Sequence, residues 1–334
     1  VNELKRALAV SNEARSLFKR ADIKSGEGSA LLTAAFANYS QGNTEEALSL
    51  VEEAQELFQD EGFHKGEDEA LRAISELNDG EERFSKAMKA AEERRALWED
   101  LDNCGKEASA LRMMAQIHLH SGEMAEAERI ALESRTLSQK AGDKAGEVVS
   151  LLILTQVHLD ALQKAEPGED FERPSPAFVK ARDKANRAAG EACTLAGKSH
   201  DRNLRASAVL WRGQVLSYSR RHQDALRVAQ EAEKLFKLTK DLVGQAHANI
   251  MVAYLHRAFS ERDKAVEAAS KALDLAREGK DVNVEAQALE CLKKVEDKPE
   301  FVPQIQYVQP EGGETQAAPG AAPQPAVPTV VAPK

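Results

Sequence analysis

The sequence predicts an all-α solenoid of helix-turn-helix repeats, and three columns of residues that share one period carry the prediction. Leu17, Leu57, Leu97, Leu137, Leu195, Leu235 and Leu275 recur in steps of 40 residues with one step of 58. Ala47, Ala87, Ala127, Ala185, Ala225 and Ala265 recur in the same steps, as do Leu31, Leu71, Leu111, Leu151, Val209, Asn249 and Leu289. A fixed period of this size marks a repeat architecture, in which each unit is one supersecondary element.

Each alanine opens a run with small or apolar residues mostly four, seven and ten positions on, such as Ala225, Ala229, Ala232 and Leu235. That is one face of a helix. The leucine column that precedes it belongs to a first helix, so each period holds two. The first runs from about residue 66 in the second repeat to a polar turn near Asn78, Asp79 and Gly80. In other repeats that turn reads Gln41, Gly42, Asn43 or Ser121, Gly122, Glu123. The second runs from near Glu46 and Ala47 to Leu57 and Phe58, and such helices stop in text such as Ala141, Gly142, Asp143, Lys144. Gly and Asn end helices, and Asp, Asn or Thr begins the next. Alanine columns allow close crossings, while Leu and Phe at the helix ends plug the layer between repeats. Stacked neighbours then share one continuous core.

In chain order, residues 1–24 match only the second half of a repeat, so Val1 is expected to begin inside a unit. It also begins without Met, as expected of a trimmed chain, a form that has lost a targeting segment, or part of something longer. Repeats follow at 25–64, 65–104, 105–144, 145–202, 203–242 and 243–282. The fourth is 18 residues longer than the others, and the surplus falls at 160–178, between its two helices. Insertions in repeat proteins go to loops on one face, often the binding face, or are tolerated surface loops. Residues 283–297 match a lone first helix, and Glu285, Glu290, Lys293 and Lys294 suit a polar cap. Eight of the eleven prolines lie beyond residue 298, so the Pro/Ala-rich tail 298–334 cannot build a core and is expected to be disordered or extended. Within it, residues 301–308 are apolar enough to dock on the last repeats or on a partner.

Composition supports the same class. Aromatics make up 5% of the 334 residues and charged residues 30%, a mix that favours long helices with thin, small-residue contacts. The formal net charge of −10 argues against nucleic acid, whose phosphates need a basic surface. Residues 1–177 carry 21 Lys/Arg and 35 Asp/Glu, whereas residues 178–240 carry 14 and 6. The basic segment suits an acidic protein segment or is a set of solvated helix faces. Three cysteines without a CxxC point to a reducing compartment, cytoplasmic by default, with an organelle left open. No run approaches eighteen consecutive apolar residues, so no membrane span is expected.

Chemistry-bearing motifs are missing. There is no phosphate loop, dinucleotide fingerprint, nucleophile elbow or HExxH. His118 and His120 form HxH near Glu123, but residues two apart on a helix do not share a face. His118, His158 and His256 occupy one repeat position and are expected to be half-buried packing residues. No catalytic residue, metal or cofactor is expected.

The two-helix unit, the small residues near the first-helix middle (Ala35, Ala115, Gly213, Ala253) and the alanine column resemble tetratricopeptide repeats. The period is 40 rather than the family's usual 34. Turns such as Gly142 to Glu147 and Lys240 to Gln245 are similar to the long-repeat branch of Pins-type spindle-orientation scaffolds and kinesin light chains. The resemblance covers about residues 1–297 and implies a right-handed α–α superhelix whose first helices line a concave groove. It places Phe36, Glu76, Gln116, Gln156, Gln214 and Tyr254 in one groove row. A second row has Leu32, Arg72, Arg112, Leu152, Leu210 and Ile250, and a third has Tyr39, Asp79, Leu119, Leu159, Ser217 and Arg257. Glutamine amides offer a donor and an acceptor to an extended backbone, and Arg72 with Arg112 suits a carboxylate gripped by two parallel bonds. Candidate contacts are Phe36, Tyr39, Arg72, Arg112, Gln116, Gln156, Gln214, Tyr254 and Arg257. The family's Lys, Asn and Arg clamp for chaperone tails is absent, since those stations hold Thr33, Ala73, Met113, Ile153 and Trp211.

The function expected from this reading is a non-enzymatic adaptor within a larger assembly. It would hold a peptide or helix of a partner by the groove, the insertion or the tail. A sensor or regulatory domain of a larger protein is the alternative. A helical-repeat RNA binder is disfavoured by the acidic total and the lack of stacking aromatics.

Overall fold

The computed structural model describes residues 2–166 and 174–296, and every regular element there is an α-helix. The tail 298–334, with its 301–308 segment, and the central part of the insertion lie outside the described residues. In order the helices are α1 (Asn2–Arg20), α2 (Lys24–Tyr39), α3 (Thr44–Glu61), α4 (His64–Gly80), α5 (Phe84–Asp100), α6 (Cys104–His120) and α7 (Met124–Lys140). Then come α8 (Lys144–Lys164), α9 (Pro176–Ala196), α10 (Arg202–Tyr218), α11 (His222–Thr239), α12 (Leu242–Ala258), α13 (Arg262–Gly279) and α14 (Val282–Glu296). Each helix packs on the next. Even-numbered helices also touch the even helices two places on, as α6 touches α8 and α8 touches α10. Odd helices two places apart meet only through longer side chains, as Arg95 of α5 meets Glu133 of α7, so the even row is the compressed, concave wall. This is the all-α solenoid that the columns predict.

In the second repeat the turn sits three residues later than the sequence suggested. Helix α4 includes Asn78, Asp79 and Gly80 and turns at Glu81, Glu82 and Arg83. The Asn78 amide, buried, donates back to the Ile74 carbonyl at 2.8 Å, so the polar residue stays helical. Outside the α8–α9 and α9–α10 connections one position per turn is left-handed: Gly42, Gly62, Gly122 and Gly142 there have φ of 84°, 67°, 83° and 70°. Elsewhere Asp22, Glu82, Asp102, Arg220, Lys240, Ser260 and Lys280 take it, at a steric cost that glycine avoids. Replacing Lys240 by Gly is therefore expected to raise stability by up to about 1 kcal/mol, measured by denaturant unfolding.

Packing between repeats follows a swap of volumes across residues eight apart. The Phe18 ring lies where a Cβ on Gly26 would sit, Phe58 lies against Gly66 and Gly28, and Phe236 against Gly244. Where the second helix ends on a small residue, the next first helix brings a large one: Ala196 clusters with Leu204, and Ala276 with Val284. Ser138 and Gly146 are both small, and the Arg112 guanidinium fills that junction. Large faces small at the other five of these junctions, which keeps interior density without a clash, while Trp98 has Lys106 eight residues on, with its ammonium near the ring.

Charge also repeats. Arg15 pairs with Glu27 and Glu53, Arg95 with Glu107 and Glu133, and Arg135 with Glu147 and Glu191. In later repeats the ladder changes hands, with Arg205 on Glu231 and Lys271 on Glu233. Such half-exposed pairs each contribute ~1 kcal/mol at most and mainly fix register.

One cluster departs from the ladder. Asp68 of α4 is buried and receives Arg94 Nε at 2.6 Å, Trp98 Nε1 at 2.7 Å and Lys106 Nζ at 3.0 Å. The Lys106 ammonium also sits 5.4 Å from the centre of the Trp98 ring. Burial pushes the Asp68 carboxyl up, but the hydrogen bonds of Arg94, Trp98 and Lys106 and the charge of Arg94 outweigh it and hold it below the ordinary aspartate value.

At its two ends the insertion continues the flanking helices, with 160–164 in α8 and 176–178 in α9. Helices α8 and α9 have 21 residues each, against 17 in α6 and α7. Leu159 and Leu162 meet Phe178 and Val215 in a core of their own. Ser175 caps α9 by accepting from the Phe178 N–H at 3.2 Å, with Pro176 at its first turn. Helix α8 is long and apolar enough to cross a bilayer by length and composition alone. Yet 67% of its apolar window is buried inside the solenoid, as expected of a core helix.

The two end helices differ. On α1, Val10 and Phe18 are exposed, whereas their column mates Ile130, Val228, Phe58 and Phe236 are buried. On α14, Lys293 holds the column of Ala35, Ala115, Gly213 and Ala253, where small residues allow helix approach. Glu290 pairs with Lys294 at 2.6 Å and Glu285 with Arg277 at 2.8 Å, so that outer face is charged.

Candidate functional site

The concave wall opens into two adjoining cavities in its first three repeats. The first encloses about 640 Å³ between α2 and α4. Its floor is Ala35, Val51 and Leu77, all buried, and its rim carries Leu32, Phe36, Tyr39, Glu69 and Arg72. Phe36 is 70% exposed and Tyr39 45%, a large apolar surface that packing in this chain does not need. The second cavity, about 420 Å³ between α4 and α6, shares Arg72 and Glu76 with the first and adds Asp79, Arg112, Met113 and Gln116.

Local sequence explains the opening. Helices α2 and α4 carry a buried column of Leu31, Ala35, Leu71 and Ser75 on the side that meets α3 and α5. The next positions round each helix, 32, 36, 72 and 76, turn to the open wall. Further on, the same rows close. Leu152, Leu159 and Leu210 are buried, so the second row is core rather than groove at α8 and α10, as is the third row at α8. Leu152 and Leu159 lie in separate core clusters, and Trp211 packs on both.

The nine candidate contacts therefore divide. Phe36, Tyr39 and Arg72 line the first cavity, and Arg72, Arg112 and Gln116 the second. Gln156, Gln214, Tyr254 and Arg257 line neither. Gln156 and Gln214 are half-buried, and Tyr254 and Arg257 are exposed farther along the wall.

The arginines do not form an open pair. Arg112 Nη1 donates to Ser138 Oγ at 3.0 Å and its Nη2 lies 3.8 Å from Asp143, so its guanidinium is held in the α7–α8 junction. Arg72 pairs with Glu76 at 3.3 Å, one turn on. Glu69, exposed on the first rim, has no hydrogen-bonding or ionic partner among the described residues. It was not among the candidates, since from sequence it is one acidic residue among many on a solvated helix.

Other titratable groups have structural partners. His118 and His256 are half-buried, and each Nδ1 meets the carboxylate five residues on, Glu123 at 2.5 Å and Glu261 at 2.6 Å. His120 turns instead to Asp79 at 2.7 Å, so the two histidines of the HxH diverge. Burial pushes the Cys193 thiol up and the Cys291 thiol up to about 11, away from the thiolate form a nucleophile needs.

The fold is similar to several solved structures. BtubC (BKLC) from P. vanneervenii matches with a TM-score of 0.56 at 15% identity, over 71% of this chain and 92% of that one. A signal-transduction ATPase with a tetratricopeptide repeat sensor, from Pyrococcus horikoshii, matches with a TM-score of 0.56 at 17% identity, over 80% of this chain but 38% of that longer protein. A Rap protein complexed with competence and sporulation factor matches with a TM-score of 0.53 at 13% identity, over 89% and 88%. At these identities the likeness is one of fold. No protein-family model matches the chain, and no curated protein matches it by sequence.

Proposed function

We propose that this tetratricopeptide-like repeat protein is a non-enzymatic scaffold that holds a segment of another protein in the groove of its first three repeats. The carrying observation is the cavity between α2 and α4, whose rim exposes Phe36 and Tyr39 over an apolar floor. An apolar cleft of this size with a few charged groups at its edge suits the side chains of a peptide or helix. The Rap protein solved in complex with competence and sporulation factor is a neighbour in fold.

Phe36→Ala provides the test. Because Phe36 is so exposed, its removal is expected to change unfolding free energy by no more than about 0.5 kcal/mol. Loss of an aromatic anchor is expected to weaken partner binding by about tenfold or more. The readout is the protein recovered with the tagged chain from its native source, identified by crosslinking mass spectrometry. A partner retained equally by Phe36→Ala and Tyr39→Ala would exclude the groove. A chain that returns alone, repeatedly and under gentle lysis, would exclude a stable subunit.

A second reading is a sensor domain within a longer protein. It is favoured by the likeness to the Pyrococcus ATPase, of which this fold matches a minor part. An adjoining nucleotide-binding domain in the same reading frame would support it, and a native polypeptide without one would not.

A further inference from the structure

We infer that the segment taken by the α2–α4 cavity is cationic as well as apolar, an inference that rests on the groove reading above. The evidence is the pairing of charges on the wall. Each arginine lining the two cavities is already countered, Arg72 by Glu76, Arg94 by Asp68, and Arg112 by Asp143 and Ser138. Glu69 on the first rim has no partner among the described residues. On the second cavity, Asp79 spends one oxygen on His120, and its other oxygen is buried without a hydrogen bond. The uncommitted charge of the groove is therefore negative.

The surroundings have the same sign. Residues 1–177 carry 35 acidic and 21 basic side chains. The resulting field attracts cations over roughly a Debye length of ~8 Å and speeds their encounter. A carboxylate-bearing or acidic segment would meet no free cation in either cavity and would add like charge beside Glu69 and Glu76. A segment with an aliphatic or aromatic residue for the floor of Ala35, Val51 and Leu77, and a Lys or Arg one helical turn away for Glu69, satisfies both features. This reverses the ligand charge that the Arg72 and Arg112 columns suggest by themselves.

A random dodecapeptide display library selected on the full chain, then counter-selected on Phe36→Glu, isolates peptides that need the groove. Representative peptides are synthesised and measured by fluorescence anisotropy against the native chain, Glu69→Gln and Glu69→Lys. Glu69 is solvent-exposed, so both variants are expected to unfold at the native denaturant midpoint. The expected result is groove-dependent peptides of net positive charge, weakened about tenfold by Glu69→Lys and less by Glu69→Gln. Groove-dependent peptides that are acidic or neutral, or indifferent to Glu69→Lys, would overturn the inference while leaving the groove as a binding site. A selection in which no peptide depends on Phe36 would overturn the groove reading and this inference with it.

Discussion

Asp68→Ala is expected to destabilise the first repeats by about 3–5 kcal/mol, the penalty for leaving a buried charge without its partner. The Arg94 side chain is 3% exposed, and it would lose the carboxylate 2.6 Å away. The Trp98 indole would lose its acceptor as well. In a solenoid such a loss stays local to the unit and its neighbours. Trp98 lies in this cluster and Trp211 lies in α10, so single-tryptophan variants report the two regions separately. Denaturant unfolding of Asp68→Ala should show an earlier transition at Trp98 and little change at Trp211. Coincident shifts at both would mean that the chain unfolds as one unit.

The double variant Asp68→Ala with Arg94→Ala should be more stable than the single one. It restores the pattern of other repeats, where Ala206 and Ala246 hold the first column and Ala232 and Ala272 the second. Acid acts through the same group. Its lowered native pKa contributes stability that is fully present above the ordinary aspartate value of 3.8. That contribution is lost as pH falls through the depressed value. Trp98 emission in the native chain should therefore change below pH 3.8, and in the double variant the step should shrink.

Phe58→Ala is expected to cost about 3–5 kcal/mol, because the ring is fully buried and its removal leaves a cavity between layers. The ring lies against Gly28 and Gly66, which have no side chain to move into the space, and a further neighbour is the Phe63 ring, with centroids 5.6 Å apart. The structure offers its own remedy. At Ala196 the complementary large residue is Leu204, eight positions on. Phe58→Ala with Gly66→Leu should therefore recover part of the loss, and Gly66→Leu alone should clash with the ring and destabilise. Thermal unfolding of the two single variants and the double gives the coupling, which is expected to be favourable and above about 1 kcal/mol. Additive losses would mean that the two sites are not sharing one volume.

Much of this was legible in the residues. The alanine and leucine columns set the period, the two-helix unit and the packed faces, because each repeat meets the same geometric demand. The rule of residues eight apart was also present in the text, as Phe18 with Gly26 and Ala196 with Leu204. The Asp68–Arg94 pair was visible in a weaker way, as two charges standing in two columns that are otherwise small. The resemblance placed Phe36 in a groove row, and the structure leaves its ring 70% exposed there.

What the sequence by itself determined is the periodic part: an all-α repeat and the helix faces that pack. Those features depend on spacing along one chain, which residue order contains directly. Only the tertiary structure decided which row positions stay open, that the ends of the insertion continue α8 and α9, and that Arg112 belongs to a junction while Glu69 stands free. These depend on how far neighbouring helices are separated and where long side chains end. A column gives every repeat the same address. The local volume of its neighbours then decides whether that address is groove, as at Phe36, or core, as at Leu152 and Leu210.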